Sequence, residues 1–383
     1  MSRARSLLVA SFAARLPITM IGLALVLATR DSGFSYAIAG ATAGAFTLGL
    51  ASTGPLIARL AERADAARTV AIATVASGAM LGAAALAGAA QSLAILLAAL
   101  LAGAALPPSG AITRARITHD ADADERRSLY AFDATVQEVL FTLGPVVLTV
   151  LIALWAPVPA LGVVAGITVV GGLVFARKLQ SQVLDGAHER RSGPLPIRSG
   201  PFRVVLAGAL LIGWSFGSIE LSVTAALEAA GSRNASGLVL AVWTAASAIG
   251  GLTITRFGPR APAARLPRVY GGMLLASPLL VLTATSPVLL AGALVLHGLF
   301  IAPSFATMNE VVASTVAARQ GEAFAWLSAA IISGISLGTA TAGVAVHALE
   351  PRAGFALVAV VTAGAVALAI AIPPTGREHA VPS

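Results

Sequence analysis

The chain consists of long apolar runs separated by short polar segments. A helix that crosses a bilayer needs about 20 apolar residues, and most of the runs have that length. Gly and Pro occur inside several runs, as membrane helices tolerate. The pattern predicts twelve helices, at residues 9–29, 35–57, 69–90, 92–113, 129–154, 158–176, 202–226, 235–255, 269–285, 288–313, 322–347 and 353–372. We therefore expect an all-α membrane protein with twelve transmembrane helices.

A polar segment at residues 177–201 divides the runs into two groups of six, and small residues recur between the groups in the same order. The recurring pairs are Gly40 and Gly237, Gly54 and Gly251, Gly103 and Gly298, and Gly144 and Gly338, at offsets of 194 to 197. A repeat of this kind indicates that the two groups fold alike. The sequence predicts two pseudo-symmetric six-helix bundles, residues 1–176 and 202–383, joined by a linker at 177–201.

The composition supports a membrane protein. Of the 383 residues, 57% are hydrophobic and 11% are charged, whereas a soluble domain has about 25% charged residues. Cysteine is absent, which removes disulfides and thiolate metal sites, and we expect neither a metal nor a cofactor. The net charge of +8 raises the alternative of a nucleic-acid partner. The bases lie between apolar runs rather than along one face, so we expect a lipid bilayer as partner and no nucleic acid.

The distribution of the bases predicts an orientation. With a cytoplasmic amino terminus, 22 of the 25 Arg and Lys residues fall in inner segments, and only Arg30, Arg233 and Arg352 fall in outer loops. Cytoplasmic loops of membrane proteins carry such an excess. We expect both termini in the cytoplasm and, from the Arg and Ala richness of the chain, a bacterial inner membrane.

The segment between the second and third predicted helices is unusually charged. It contains Gly54, Arg59, Glu62, Arg63 and Arg68. It resembles the charged loop G-x-x-x-D-R-x-G-R-R, which joins the second and third helices of transporters of the major facilitator superfamily. Ala58 and Asp65 replace two glycines of that motif. The three arginines would also satisfy the orientation rule without any further role.

The resemblance, together with the two six-helix repeats, implies a secondary transporter that works by alternating access. By resemblance, Glu62 would pair with Arg114 or Arg116 and stabilise an outward-open state. Proton antiporters of the superfamily carry an arginine in helix 4, which this chain lacks, and a glycine-rich motif in helix 5, of which Gly144-Pro145 remains as a helix kink. We expect a monomer that moves a small organic solute, most simply by proton-coupled efflux. A proton-coupled importer or facilitator is the alternative, and a polytopic membrane enzyme or sensor is a remoter one.

Ionisable residues inside predicted helices are the best candidates for chemistry, because a charge at mid-bilayer costs at least about 2.5 kcal/mol. The candidates are Arg15, Asp133, Glu138, Glu220 and His297. A packed neutral imidazole is the simplest interpretation of His297. Trp214, Trp243 and Trp326 also fall within the runs, where bulk filling is a simpler role than lining a cavity.

The sequence supports a specific hypothesis for the role of Arg15 and another for that of Glu220. Arg15 lies between Asp133 and Glu138 in depth and could pair with either acid. We expect a pair with Glu138 that acts as a gate or lock. The alternative is an ion pair that only stabilises the first bundle. Glu220 has no base at its depth in its own half, and burial favours the uncharged form of a carboxyl group. We therefore expect Glu220 to be the coupling or substrate-cation site.

Overall fold

The computed structural model describes residues 3–63, 65–87, 92–120, 123–180, 196–257, 262–315 and 320–372. Within these ranges the regular structure is helical. The α-helices are α1 (Arg3–Arg15), α2 (Ile18–Asp31), α3 (Tyr36–Arg63), α4 (Ala66–Leu86), α5 (Ser92–Ala105), α6 (Ser109–Asp120), α7 (Ala123–Trp155), α8 (Pro157–Gln180), α9 (Gly200–Ala229), α10 (Ser236–Phe257), α11 (Pro262–Thr283), α12 (Pro287–Gly298), α13 (Ile301–Thr315), α14 (Gln320–Ala348) and α15 (Pro351–Ile370).

Eleven helical segments of the described chain are long and apolar enough to cross a membrane. The remaining crossing is α7, in which only Val139–Trp155 is apolar, because its first half carries charged residues. Three crossings consist of two helices each, namely α1 with α2, α5 with α6, and α12 with α13. Prolines lie at or just beyond these interruptions, at Pro17, Pro107 and Pro303, where they cannot donate a backbone hydrogen bond. The predicted fold class is confirmed.

The helices pack as two groups. Helices α1 to α8 contact one another, chiefly through α4 with α8 and α3 with α5, and helices α9 to α15 do so chiefly through α9 with α14 and α15. The two groups meet where α3 packs on α14 and α7 packs on α10, with a smaller contact of α2 on α9. The linker at 181–195 lies outside the described residues, so the predicted bundle boundaries stay a prediction.

Helix bounds differ from the sequence prediction at the charged segment. Helix α3 continues to Arg63, six residues beyond the predicted end, so most of that segment is helical rather than loop. Asp65 accepts hydrogen bonds from the backbone N–H groups of Ala67 (2.9 Å) and Arg68 (3.1 Å) and caps α4. The residue that replaces a glycine of the family motif therefore starts the next helix.

Candidate functional site

Glu220 lies where the two groups of helices face each other. It is on α9, and it faces Gly22 of α2. A Cβ atom added to Gly22 would lie 3.2 Å from Glu220 Oε1, so the carboxylate packs against α2 at a position that has no side chain. The Glu220 side chain is partly exposed, although most of α9 around it is buried.

No described residue donates a hydrogen bond to the Glu220 carboxylate or forms an ion pair with it. The Thr224 hydroxyl bonds the backbone oxygen of Glu220, at 3.1 Å, and not the carboxylate. The nearest acid along α9 is Glu228, which lies about 12 Å farther along the axis at 1.5 Å per residue. The carboxylate is therefore available to bind a proton or a cation.

An aromatic cluster begins one helical turn from Glu220. Phe216 is on the same face of α9, because residues four apart are neighbours on a helix. Its ring packs edge-to-face on Trp243, with centroids 5.6 Å apart, and at an angle on Phe305, also at 5.6 Å. Trp243 in turn stacks obliquely on His297. The cluster joins α9, α10, α12 and α13 below the carboxylate.

His297 is fully buried, and its geometry identifies its tautomer. Trp243 Nε1 donates to His297 Nδ1 at 3.2 Å. A nitrogen that accepts carries no proton, so the neutral ring has its proton on Nε2. A protonated His297 would place two donors face to face. The His297 ring therefore packs against Trp243 and accepts its indole hydrogen bond.

A second site joins the two groups of helices at one end of the bundle. We call this end the predicted outer end and define it by Asp31 at the end of α2 and Ala229 at the end of α9. Arg30 of α2 forms an ion pair with Glu228 of α9. The Tyr36 hydroxyl of α3 donates to Glu228 Oε2 at 2.9 Å. Arg233, just after α9, pairs with Asp31 at 3.0 Å. Three residues of the first group therefore bond two residues of the second.

Near the predicted outer end, the backbones of the two groups of helices also approach each other closely. A Cβ on Gly40 of α3 would collide with the Thr339 carbonyl of α14 and lie 3.0 Å from the Gly343 Cα. A Cβ on Gly237 of α10 would collide with the Pro145 carbonyl of α7. Gly40 and Gly237 are the first pair of the sequence repeat, and they make equivalent contacts between the groups. Small residues allow such close approach of membrane helices.

The Arg15 candidate lies in a buried ion-pair cluster within the first group. Arg15 binds Asp133 through one nitrogen and the Gln137 side-chain oxygen through the other. Arg114 also binds Asp133, at 3.1 Å. Of the two acids that the sequence left open, Asp133 is thus in contact with Arg15. The side chain of Glu138, which the gate hypothesis preferred, lies outside the described residues.

The remaining sequence candidates are placed as follows. Gly54 is buried in α3 with no atom within 4 Å of an added Cβ, and Arg59 and Arg68 are exposed. The side chains of Glu62 and Arg63 lie outside the described residues, and so does the expected pairing of Glu62. Gly144 allows α2 to approach, because a Cβ there would collide with the Thr19 side chain. Helix α7 continues through Pro145.

The family follows from the comparison of the whole chain with known proteins. The family model described as Major Facilitator Superfamily matches residues 7–286. The chain belongs to this superfamily. Its members move solutes across membranes, so membrane transport is the function class of this protein. No curated protein matches the sequence.

Solved transporters share the fold of this major facilitator. The nucleoside transporter NupG, as a D323A mutant, superposes with a TM-score of 0.73 at 14% identity, covering 97% of this chain and 99% of that one. A bacterial homologue of the iron transporter ferroportin, in an inward-facing state, gives 0.70 at 12% identity over 98% and 100%. A bacterial homologue of the human lysosomal transporter Spinster, in an inward-facing and unoccupied conformation, gives 0.65 at 16% over 97% and 95%. At these identities the likeness concerns the fold alone.

Sequence reasoning about this major facilitator missed the cluster at the predicted outer end. It counted Arg30 and Arg233 as exceptions to an orientation rule and did not consider Asp31, Tyr36 or Glu228. A signal was present, because bases are scarce in the outer loops and each of these two lies within five residues of an acid. Charges that break the orientation rule are candidates for specific pairing.

Proposed function

We propose that this protein is a proton-coupled secondary transporter that exports a small organic solute across the bacterial inner membrane, and that Glu220 is the group that exchanges protons. The observation that carries the proposal is the partly exposed carboxylate between the two groups of helices, with no described partner. An unpaired acid inside a membrane protein is costly and marks a functional position. Its protonation removes that cost, so proton binding and bundle movement are energetically linked.

Alternating access supplies the mechanism. The bonds between the groups run from Phe141 and Thr244 near mid-membrane to Arg30 and Glu228 at the predicted outer end. In an alternating-access cycle, closure of the predicted outer end alternates with closure of the opposite end, and the proposed orientation puts both termini at that opposite end. To open outward, the chain must break the cluster at the predicted outer end and separate α3 from α14. Glu220 lies about 12 Å from Glu228 along α9, and under this proposal it meets a proton from either side in turn.

The direction of export rests on the Gly144-Pro145 pair, which resembles part of the antiporter motif. The titles of the similar structures name different cargoes, nucleosides in one case and iron in another. They supply no substrate for this chain. We also propose that the transporter is a monomer without enzymatic activity, which membership of the superfamily supports.

The test uses everted inner-membrane vesicles that contain the protein and a pH-sensitive dye. A panel of small organic solutes is added to energised vesicles, and substrate-induced proton release is recorded. We expect release with wild type, its loss in Glu220→Gln, and preserved solute exchange down a gradient in that variant. Glu350→Gln is the matched control, because Glu350 is an exposed acid at the start of α15. Uphill transport by Glu220→Gln at the wild-type rate would refute the coupling role, and proton uptake on solute entry would identify an importer.

A further inference from the structure

The contact between α2 and α9 has three levels along the helix axes. On α2, Gly22, Val26 and Arg30 follow one another at intervals of four residues, so they lie on one side of the helix and about 6 Å apart along its axis. The Glu220 carboxylate packs at Gly22, and Arg30 pairs with Glu228. Val26 therefore lies between the candidate site and the ion pair at the predicted outer end.

The middle level is apolar and contains residues of both groups of helices. Val26 belongs to a cluster of buried aliphatic side chains that is separate from the main core. We call this cluster the apolar layer, and it is formed mainly by Val26 of α2, Ala39 and Ala43 of α3, Leu221 and Ala225 of α9, and Val346 of α14. Helices α2 and α3 belong to the first group, and α9 and α14 belong to the second. The layer is therefore complete only while the two groups are in contact at this level.

Leu221 fills the place at which α3, α9 and α14 meet. It follows Glu220 directly on α9, and its side chain is fully buried. Its Cδ1 atom lies 3.0 Å from the position of a Cβ added to Gly40 of α3, and the Thr339 carbonyl of α14 approaches the same position. A side chain of the second group thus packs directly on the backbone of the first, one residue from the carboxylate.

The apolar layer offers water nothing to bind. Leu221 and Val26 are 0% and 1% exposed, and the aliphatic side chains of the layer carry no hydrogen-bonding group. Apolar constrictions of this kind exclude water. Protons travel to a buried group through water or through polar side chains, so the layer interrupts a route from the predicted outer end to Glu220.

We propose that the apolar layer is the barrier that separates Glu220 from protons at the predicted outer end in this conformation, and that Leu221 and Val26 make this barrier tight. The inference rests on the proposed function in one respect, that Glu220 exchanges protons. It assigns different tasks to the two outer levels. The ion pairs hold the groups together, whereas the apolar layer keeps water from the carboxylate.

The test measures proton flux in the absence of any solute. Purified full-length protein is placed in liposomes that contain a pH-sensitive dye, and a pH gradient is imposed in the presence of potassium and valinomycin. Leu221→Asn keeps a side chain of similar size and adds an amide that binds water. We expect the gradient to collapse about tenfold faster than with wild type, because a hydrated layer lowers the barrier to protons. Adding Glu220→Gln to this variant should return the rate to near that of wild type.

Leu280→Asn is the matched control for the polar substitution. Leu280 is also fully buried, but it lies on α11, which packs chiefly on α12, α13 and α15 of its own group. The rate for this variant should stay within about twofold of wild type.

A milder pair of variants covers the case in which Leu221→Asn lowers the folded yield. Val26→Thr keeps the shape of the side chain, places a hydroxyl group in the layer and should raise the rate by about threefold. Val70→Thr makes the same change at a buried position inside the first group and should leave the rate unchanged. Wild-type rates in both Leu221→Asn and Val26→Thr, or an equal rise in Leu280→Asn, would overturn the inference.

Failure of this inference can be told apart from failure of the proposed function. Wild-type proton rates in both layer variants, with solute-driven proton release that still depends on Glu220, would overturn the barrier and leave proton coupling intact. A fast rate that persists in Leu221→Asn with Glu220→Gln, together with uphill transport by Glu220→Gln alone, would have the opposite meaning. The layer would then exclude water, and Glu220 would not be the group that exchanges protons.

Discussion

Arg30 and Glu228 form an ion pair that joins the two groups of helices at the predicted outer end. The Arg30 guanidinium also lies 4.3 Å from the centre of the Tyr36 ring, and the Tyr36 hydroxyl donates to the same carboxylate. Glu228 thus accepts hydrogen bonds from Arg30 on α2 and from Tyr36 on α3. Because α9 carries both Glu228 and Glu220, one helix connects the closed end to the candidate site.

The first prediction concerns this ion pair. Glu228→Gln removes the charge that Arg30 and Arg233 share and should shift the population toward an open outer end. Partly exposed ion pairs contribute about 0.2–1 kcal/mol each, and Glu228 forms two of them, so the ratio of open to closed molecules should rise up to about thirtyfold. Distances between spin labels at positions 32 and 232, measured by pulsed electron paramagnetic resonance, report that ratio.

Exchange of the two charges supplies the control. The double variant Arg30→Glu with Glu228→Arg restores an ion pair in which the two charges have changed places. It should partly restore the fraction of closed molecules. If Glu228→Gln leaves the label distances unchanged, the cluster does not influence the balance between the two conformations.

The second prediction concerns the close contacts of Gly40 and Gly237. Gly40→Val would place a side chain against the Thr339 carbonyl and should prevent closure of α3 on α14. Transport should fall to a small fraction of the wild-type rate, while the folded yield stays similar because the first group can fold without this contact. Gly237→Val should do the same at α7 and α10, whereas Gly82→Val, which meets nothing within 4 Å, should transport normally. Normal transport by either of the first two variants would show that closure tolerates a wider spacing.

Much of the fold was predictable because a bilayer imposes one strong rule on the chain. Runs of apolar residues as long as a crossing can hardly be anything but helices, and the twelve predicted crossings correspond to the helices found. The end of α3 was less predictable, since a helix can continue past the membrane when its residues favour helix. Ala58, Leu60 and Ala61 are good helix formers, and the helix stops only where Asp65 caps the next one.

The candidate site was predictable in part. Glu220 stood out because a lone acid in an apolar helix is rare, and the structure adds its position opposite Gly22. The partner of Arg15 depends on the direction in which each side chain leaves its helix, and depth alone did not decide between two acids five residues apart. The cluster at the predicted outer end depends on how the two groups of helices pack against each other. A local sequence pattern carries no information about that packing.

The third prediction concerns orientation, which the distribution of bases predicts. Because the chain has no cysteine, single cysteines can be introduced one at a time. Cysteines at positions 64, 122, 186 and 262 should react only with reagents that reach the cytoplasm. Cysteines at positions 91, 157, 232 and 286 should react with an impermeant reagent added outside. One pair with the reverse pattern would contradict the assigned crossings, and with them the statement that the cluster of Arg30 and Glu228 faces outward.

The last prediction compares the members of the buried cluster in the first group. Asp133 binds two bases, Arg15 and Arg114, and among the described residues its removal leaves Arg15 without an opposite charge. Removal of one partner of a buried ion pair typically costs about 3–5 kcal/mol, so Asp133→Asn should be strongly destabilising. Removal of Arg15 should cost less, about 1–3 kcal/mol, because Asp133 keeps its contact with Arg114.

Thermal unfolding of the purified variants in one detergent gives the order of stability. We expect wild type above Arg15→Gln and Arg15→Gln above Asp133→Asn. The double variant should be more stable than Asp133→Asn alone, because it contains no unpaired buried charge and the half-exposed Arg114 can turn toward water. A double variant whose loss equals the sum of the two single losses would show that the two side chains do not interact. If Glu138→Gln and not Asp133→Asn were the damaging change, the gate hypothesis built on Glu138 would be the better account of Arg15.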